Sequence, residues 1–220
     1  MRAAASYRPA DSAHDIGGDW YDVFALPGGR VGLVIGDVMG HDLHAAAAMG
    51  RLHAMLRAIA LTASGPAHTL DRLEDAIAGL PGLALTTIGY GDYDPASGLL
   101  RYACAGHLPP LLVADGHARY LSEGRSMPLG VPTAALGGTP PRTDATVHVA
   151  PGSLLLWCTD GLVERRNEDI DTGLDTLAHH AEQLQGTDPH AHHDSIMSDM
   201  TDGHHLHDDI ALLCVHLDRT

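Results

Sequence analysis

Residues 30–41 read RVGLVIGDVMGH. From Arg30 to Asp37 the run is apolar without alternation, and it is entered through a Gly28-Gly29 turn. Alternation would mark a sheet with one face in water, so an unbroken run predicts a strand buried on both faces. The run ends on a carboxylate, Asp37, followed by a turn containing Gly40. Beyond it, Leu43, Ala46, Met49, Leu52, Leu56 and Ile59 recur at steps of three and four, which predicts an amphipathic helix to about Ala63.

Working outward, Ser64-Gly65-Pro66 breaks that helix, and a second is expected from about Leu70 to Leu80, with Thr69 or Asp71 near its cap. From Leu83 to Val149 the texture changes to short strands. Leu85 to Asp94 and Leu99 to Ala105 flank one turn, Leu111 to Ala114 and Ala118 to Leu121 flank an Asp115-Gly116 hairpin, and Ala145 to Val149 follows. SLLLWCTDG, from Ser153, reads as a second buried strand ending in acid. Helices are expected from about Gly173 to Leu184 and, opened by Asp188-Pro189, toward Met200; Asp209 to Leu217 closes the chain as a strand. Strands and helices therefore come in segregated runs, which predicts an α+β layered fold, taken as one domain over residues 1–220.

Composition narrows the partners. The 220 residues carry 28 acidic side chains, 23 of them Asp, against 13 basic ones, all Arg, for a net charge of -15. A nucleic-acid or anionic-membrane binder needs a basic patch, so neither is expected as a partner; divalent cations and basic protein surfaces fit better. No apolar run approaches the roughly 18 residues that span a bilayer, and the start of the chain lacks the apolar core of a signal peptide. Cys104, Cys158 and Cys214 are odd in number and each lies in an apolar stretch, which predicts reduced, buried thiols and a cytoplasmic location.

Four acidic clusters lie at strand ends or glycine turns: GDWYD over 18–22, GDVMGH over 36–41, TDG over 159–161 and HDDI over 207–210. A carboxylate at the end of a buried strand is rigidly held, and a neighbouring glycine lets backbone or ligand approach. Several such ends converging would form the oxygen-rich site that Mg²⁺ and Mn²⁺ prefer. Singly, each has a plainer reading: Asp160-Gly161 is a turn, and Asp208-Asp209 is a solvated start to a strand.

In this order, GGDWYD (17–22), GDVMGH (36–41), AGHLPPLL (105–112), PLGV (128–131), TDGLVE (159–164) and DDIALL (208–213) resemble the motifs of the SpoIIE-type serine phosphatases, the bacterial branch of the metal-dependent, type-2C-like phosphatases. The resemblance covers the chain from about Tyr7 to Leu217. It implies an αββα sandwich of two antiparallel sheets flanked by helices, with two Mn²⁺ or Mg²⁺ ions at one edge between the sheets. It also implies that Asp19, Asp37, Asp160 and Asp208 bind those ions, with Asp37 bridging and the Val38 carbonyl as a further ligand. The implied reaction is hydrolysis of phosphoserine or phosphothreonine in a protein by metal-activated water, and the implied substrate is a phosphorylated anti-sigma-factor antagonist in a partner-switching pathway.

Around these residues several alternatives stand. Asp22 and Asp209 either hold a water or orient a metal ligand, or they lie on the surface. His41 either contacts phosphate or packs at the helix start, and Arg8 is a further candidate for phosphate, with Arg51 and Arg57 expected on a helix surface. Asp42 replaces the family's usual glycine; it either caps the helix or adds a carboxylate near the metals, and the cap is favoured. Ala211 stands where the family often has Ser or Thr. His190, His192, His193, His204, His205 and His207 match no zinc spacing, so no histidine metal site is expected. The helices over 43–80 begin six residues after Asp37 and are expected to carry a homodimer or regulatory contact. A binding module without turnover and a small-molecule phosphoester hydrolase are the competing functions.

Overall fold

The structure is a computed structural model; it describes residues 1–9, 17–40, 43–80, 83, 85–131, 140–166, 168–203 and 206–218. In chain order the elements are β1 (Arg2–Arg8), β2 (Trp20–Ala25), β3 (Val31–Asp37), α1 (Leu43–Ala60), α2 (Pro66–Ile77), β4 (Thr87–Asp94), β5 (Leu99–Ala105), β6 (Leu111–Ala114), β7 (His117–Tyr120), β8 (Arg125–Ser126), β9 (Ala145–His148), β10 (Ser153–Cys158), α3 (Ile170–Gln183), α4 (Pro189–Thr201) and β11 (Ile210–Leu217). One sheet runs β1-β11-β10-β6-β7. The other runs β2-β3-β4-β5-β8, with β9 also on β5, and its β5–β8 pair is parallel while the rest are antiparallel.

The unbroken apolar runs are explained by three stacked cores. On β3, Leu33 and Ile35 point between the sheets, while Val34 points to α1 and α2. On β11, Ala211, Leu213 and Val215 enter the space between the sheets, and Ile210, Leu212 and Cys214 pack toward α3 and α4. Both faces of both central strands are thus covered, and the layers run helix, sheet, sheet, helix, as the resemblance implies. All three cysteines are free and buried. No helix among the described residues is long and apolar enough to cross a membrane.

Several boundaries differ from the sequence reading for identifiable reasons. Helix α2 begins at Pro66, four residues before the expected Leu70, and ends at Ile77. Neither Thr69 nor Asp71 caps it. The Thr69 hydroxyl donates to the Gly65 carbonyl, and Asp71 accepts from the buried Arg142, whose other nitrogen donates to Glu74. Gly65 offers no side chain, so the capping acceptor comes from Asp144, whose Oδ1 lies 2.6 Å from the Ala67 amide. A cap supplied from 77 residues away cannot be read from local sequence. Asp144→Ala should cost about 1 kcal/mol, up to about 2, and lower the melting temperature by about 2–4 °C per kcal/mol, measured by thermal denaturation. Helix α3 starts at Ile170, three residues before the expected Gly173, because Asp169 caps it; Asp188 caps α4 as the sequence indicates. The Asp115-Gly116 hairpin joins β6 and β7 with both residues at positive φ. Strand β1, an Ala-rich edge, carries little strand signal of its own; pairing with β11 makes it one.

Candidate active site

The same end of the sandwich collects the ends of strands from both sheets. Trp20 pairs with Gly36, so Asp19 and Asp37 sit one step further along β2 and β3. Cys158 pairs with Leu212, and beyond that pair the Thr159 amide bonds the Ala211 carbonyl at 3.1 Å while the Ala211 amide bonds Thr159 Oγ1 at 2.8 Å. These pairings bring Asp160 beside the Asp208-Asp209 corner.

The glycines in the motifs are where the segments cross. A Cβ on Gly161 would lie 2.1 Å from the Asp209 carbonyl oxygen, and one on Gly18 would lie 1.9 Å from the Val38 carbonyl oxygen. On Gly17 it would overlap the Asp209 carboxylate. The Val38 amide donates to the Gly18 carbonyl at 3.2 Å, completing the contact between the first two motifs. Only glycine lets these backbones approach so closely.

Asp19 is buried, Asp37 and Asp160 are half-buried, and Asp208 is exposed. Burial, then the charge of Asp37, pushes the Asp19 carboxyl up to about 9, against a hydrogen bond with Thr159. Burial pushes Asp37 up to about 6, with Asp160, Asp208 and Asp209 adding to the rise. Asp160 is raised by burial and then by Asp208. Asp19, Asp37 and Asp160 therefore each sense the charge of at least one other acid of the cluster, and among the described residues none of the four forms an ion pair. Among the same residues no three His, Cys, Asp or Glu side chains stand in a ready-made metal-holding arrangement. The donor set nonetheless fits a hard cation: Asp19 Oδ2 is buried without a hydrogen-bond partner among the described residues, and the cluster holds only oxygen donors.

The remaining candidates fall as follows. Asp209 is buried, and its Oδ2 accepts from the Tyr7 hydroxyl at 3.0 Å, so it fastens β1 and the Gly17 segment to the start of β11. The adjacent Asp208 Oδ1 accepts from the Asp209 amide at 2.8 Å. Asp22 accepts from Arg57 at 2.9 Å and lies 2.7 Å from His53 Nε2, joining β2 to α1. Arg8 donates to Thr201 Oγ1, and Arg51 is exposed. Arg57, on the α1 surface as expected, also lies over the Phe24 ring. His192, on α4, is buried against His216, and His193 bonds Ser6. His41, Asp42, His204 and His205 lie outside the described residues.

Tyr7 and Thr159 were not singled out from the sequence. Thr159 opens the TDG motif, at the point where an apolar strand turns polar; Tyr7 is brought to Asp209 by the β1–β11 pairing. His107 of the AGH motif was likewise missed. It is buried, lies 2.9 Å from Thr87 Oγ1, and burial pushes its imidazole down to about 4. The unfolded chain therefore takes up a proton near pH 6.5 that the folded chain refuses, so stability is lost as pH falls below 6.5. At pH 5 this costs about 2 kcal/mol. His107→Gln should flatten the difference between urea-unfolding free energies at pH 7 and pH 5 by that amount.

The family model for stage II sporulation protein E (SpoIIE) matches residues 27–218. The chain belongs to the SpoIIE family. Among curated relatives, the phosphoserine phosphatase RsbP of Bacillus subtilis strain 168 is 26% identical over 164 residues, covering 72% of this chain and 39% of RsbP. The RsbU and RsbW domains of Rv1364c from Mycobacterium tuberculosis superpose with a TM-score of 0.88 at 31% identity, over 99% of this chain and 60% of that one. The PP2C phosphatase domain of SpoIIE from Bacillus subtilis, solved with a fragment of its regulatory domain, gives a TM-score of 0.79 at 17% identity, over 100% and 64%. This SpoIIE-family chain thus spans 39% and 60% of the first two relatives' lengths, under two thirds of each, and its fold is that of the PP2C-type phosphatases.

Proposed function

We propose that residues 1–220 form one metal-dependent phosphatase unit that hydrolyses phosphoserine or phosphothreonine in a protein. The observation that carries this reading is the convergence of Asp19, Asp37, Asp160 and Asp208 at one edge between the sheets, the first three buried or half-buried and all four without an ion-pair partner among the described residues. Two Mg²⁺ or Mn²⁺ ions held by these acids, with the Val38 carbonyl as a further donor, would supply Lewis acidity toward a phosphoryl group and an activated water.

The chain's own residues do the rest. Asp19 and Asp37 are fixed by the β2–β3 ladder, Asp160 by the Thr159–Ala211 bonds, and Asp208 by the Asp209 amide, so the oxygen donors are positioned by sheet geometry before any ligand arrives. Tyr7, through Asp209, holds the first and last segments together. Four carboxylates carry four negative charges, which two divalent ions would balance, so binding should also stabilise the fold.

Support for a phosphorylated anti-sigma-factor antagonist as substrate comes from the relatedness to RsbP and to a chain carrying RsbU and RsbW domains. A homodimer or regulatory contact through α1 and α2 is part of the same reading. It is supported by the exposure of Met39, Leu43 and Leu61 on and beside α1 and by the two contacts from Asp22 that tie β2 to that helix.

The deciding experiment is release of phosphate from p-nitrophenyl phosphate, from phosphoserine peptides and from nucleotides, each with Mn²⁺, Mg²⁺ or a chelator. Metal-dependent turnover of the aryl phosphate and peptides is expected. Turnover of nucleotides alone would make the protein a small-molecule hydrolase, and no turnover with any metal would leave a binding module.

A further inference from the structure

Beside the acid cluster a cleft of about 420 Å³ opens between β1, β2 and α1. Asp19 forms part of its wall and Gly17 another part, so whatever fills it lies next to the candidate catalytic carboxylates. The other described residues that line it are Tyr7, Trp20, Tyr21, Met49 and His53.

Three of the polar tips are engaged within the protein. The Tyr7 hydroxyl donates to Asp209 at 3.0 Å, the Tyr21 hydroxyl donates to the Ala5 carbonyl at 3.4 Å, and His53 Nε2 lies 2.7 Å from Asp22. The indole nitrogen of Trp20 lies over Gly36, where a Cβ would come within 2.6 Å of it. The Trp20 and His53 rings lean on each other with centroids 5.2 Å apart. What the cleft has left to offer is ring faces and the Met49 thioether, a combination that adapts to apolar shapes. Asp19 Oδ2 and the Trp20 indole nitrogen are the exceptions, both buried without a partner among the described residues; the first belongs to the acid cluster and the second faces Gly36.

We propose that this cleft seats an apolar side chain of the phosphoprotein substrate, such as Leu, Met or Phe, within three residues of the phosphoserine. The inference rests on the phosphatase reading and deepens it by naming what the substrate presents beside the phosphate. An extended chain advances about 3.3–3.6 Å per residue, so a side chain at that distance reaches a site adjoining the phosphoryl group. The volume is within the range of about 300–1,000 Å³ typical of ligand pockets and exceeds what a single water needs. An acidic side chain is disfavoured there by the chain's net charge of -15 and by a wall in which none of the described residues is Arg.

The test uses phosphoserine peptides that differ only in Leu or Asn at each position within three residues of the phosphoserine. At one position Leu is expected to raise kcat/KM about tenfold over Asn, the order of discrimination an apolar pocket supplies. Met49→Trp, which fills the cleft, should bring the ratio to within about twofold of unity; Met49→Ala, which enlarges it, should shift the preference from Leu toward Phe or Trp. Equal use of Leu and Asn peptides at every position by the wild-type protein overturns the proposal, as does a Leu preference unchanged in both variants. Calorimetric Kd values for the same peptides with Mg²⁺ separate the two readings. A Leu preference in Kd without turnover removes the phosphatase reading and keeps the cleft, whereas turnover without a preference removes the cleft alone.

Discussion

Asp37→Asn should lower the Mn²⁺-dependent hydrolysis of p-nitrophenyl phosphate by about a thousandfold while making the metal-free protein more stable. The two effects have opposite signs because one side chain serves two balances. Asp37 feels Asp160, Asp208 and Asp209 as well as Asp19. Lewis-acid stabilisation of a phosphoryl transition state is worth several kcal/mol. Losing about 4 kcal/mol of it costs about three factors of ten in rate.

Without metal, the same carboxylate is ionised above about pH 6 beside the buried Asp19 and the half-buried Asp160. Its folded-state pKa is raised, so its contribution favours folding below the ordinary carboxylate value and is lost as pH rises through about 6. At pH 8 the isosteric amide removes that penalty, and the apo protein should gain about 1 kcal/mol or more. Differential scanning calorimetry at pH 8 with and without Mg²⁺ reads both balances together. The wild-type melting temperature should rise with Mg²⁺, and the rise should shrink in the variant. Equal hydrolysis rates in both proteins would sink the metal-binding assignment of Asp37, and a less stable apo variant would show that the carboxylate is a structural partner instead.

What the sequence made legible and what it hid follow from the range of the interactions involved. The runs Arg30 to Asp37 and Asp209 to Leu217 announced themselves because both of their faces are buried, and the acids at their ends were visible as breaks in hydrophobicity. Periodicity found α1 for the same reason. What stayed hidden depends on partners far along the chain. The cap of α2 comes from Asp144, Tyr7 reaches Asp209 across 202 residues, and β1 is a strand only by virtue of β11. The roles of Asp22 and Asp209 were open between the metal site and the surface. The structure gives both a bonded place, Asp22 of β2 against His53 and Arg57 of α1 and Asp209 under Tyr7 and Gly17, because each carboxylate meets a donor that local sequence does not name.

Gly161→Ala should be among the most damaging single-methyl changes in the molecule, and Gly50→Ala should be mildly favourable. The added Cβ at Gly161 would lie 2.1 Å from the Asp209 carbonyl oxygen and 3.2 Å from that of Asp208. Both are backbone atoms at the start of β11, whose following residues pair with β1 and β10, so relief requires moving a central strand. A cost of about 3 kcal/mol is the scale expected for overpacking without a flexible neighbour, equivalent to about 6–12 °C in melting temperature at about 2–4 °C per kcal/mol. The shift would also carry Asp208 away from Asp160, so the melting-temperature gain on adding Mg²⁺ should fall along with hydrolysis. Gly50 is exposed on α1, its added Cβ meets nothing within 4 Å, and its φ is not positive. The same methyl there should stabilise the helix by about 0.5–1 kcal/mol by restricting the unfolded chain. Thermal denaturation of the two variants side by side, with and without Mg²⁺, tests the claim that the motif glycines act by permitting close backbone crossings. If Gly161→Ala melts within 2 °C of the wild type and keeps its response to Mg²⁺, the crossing at Asp208-Asp209 does not position the acids.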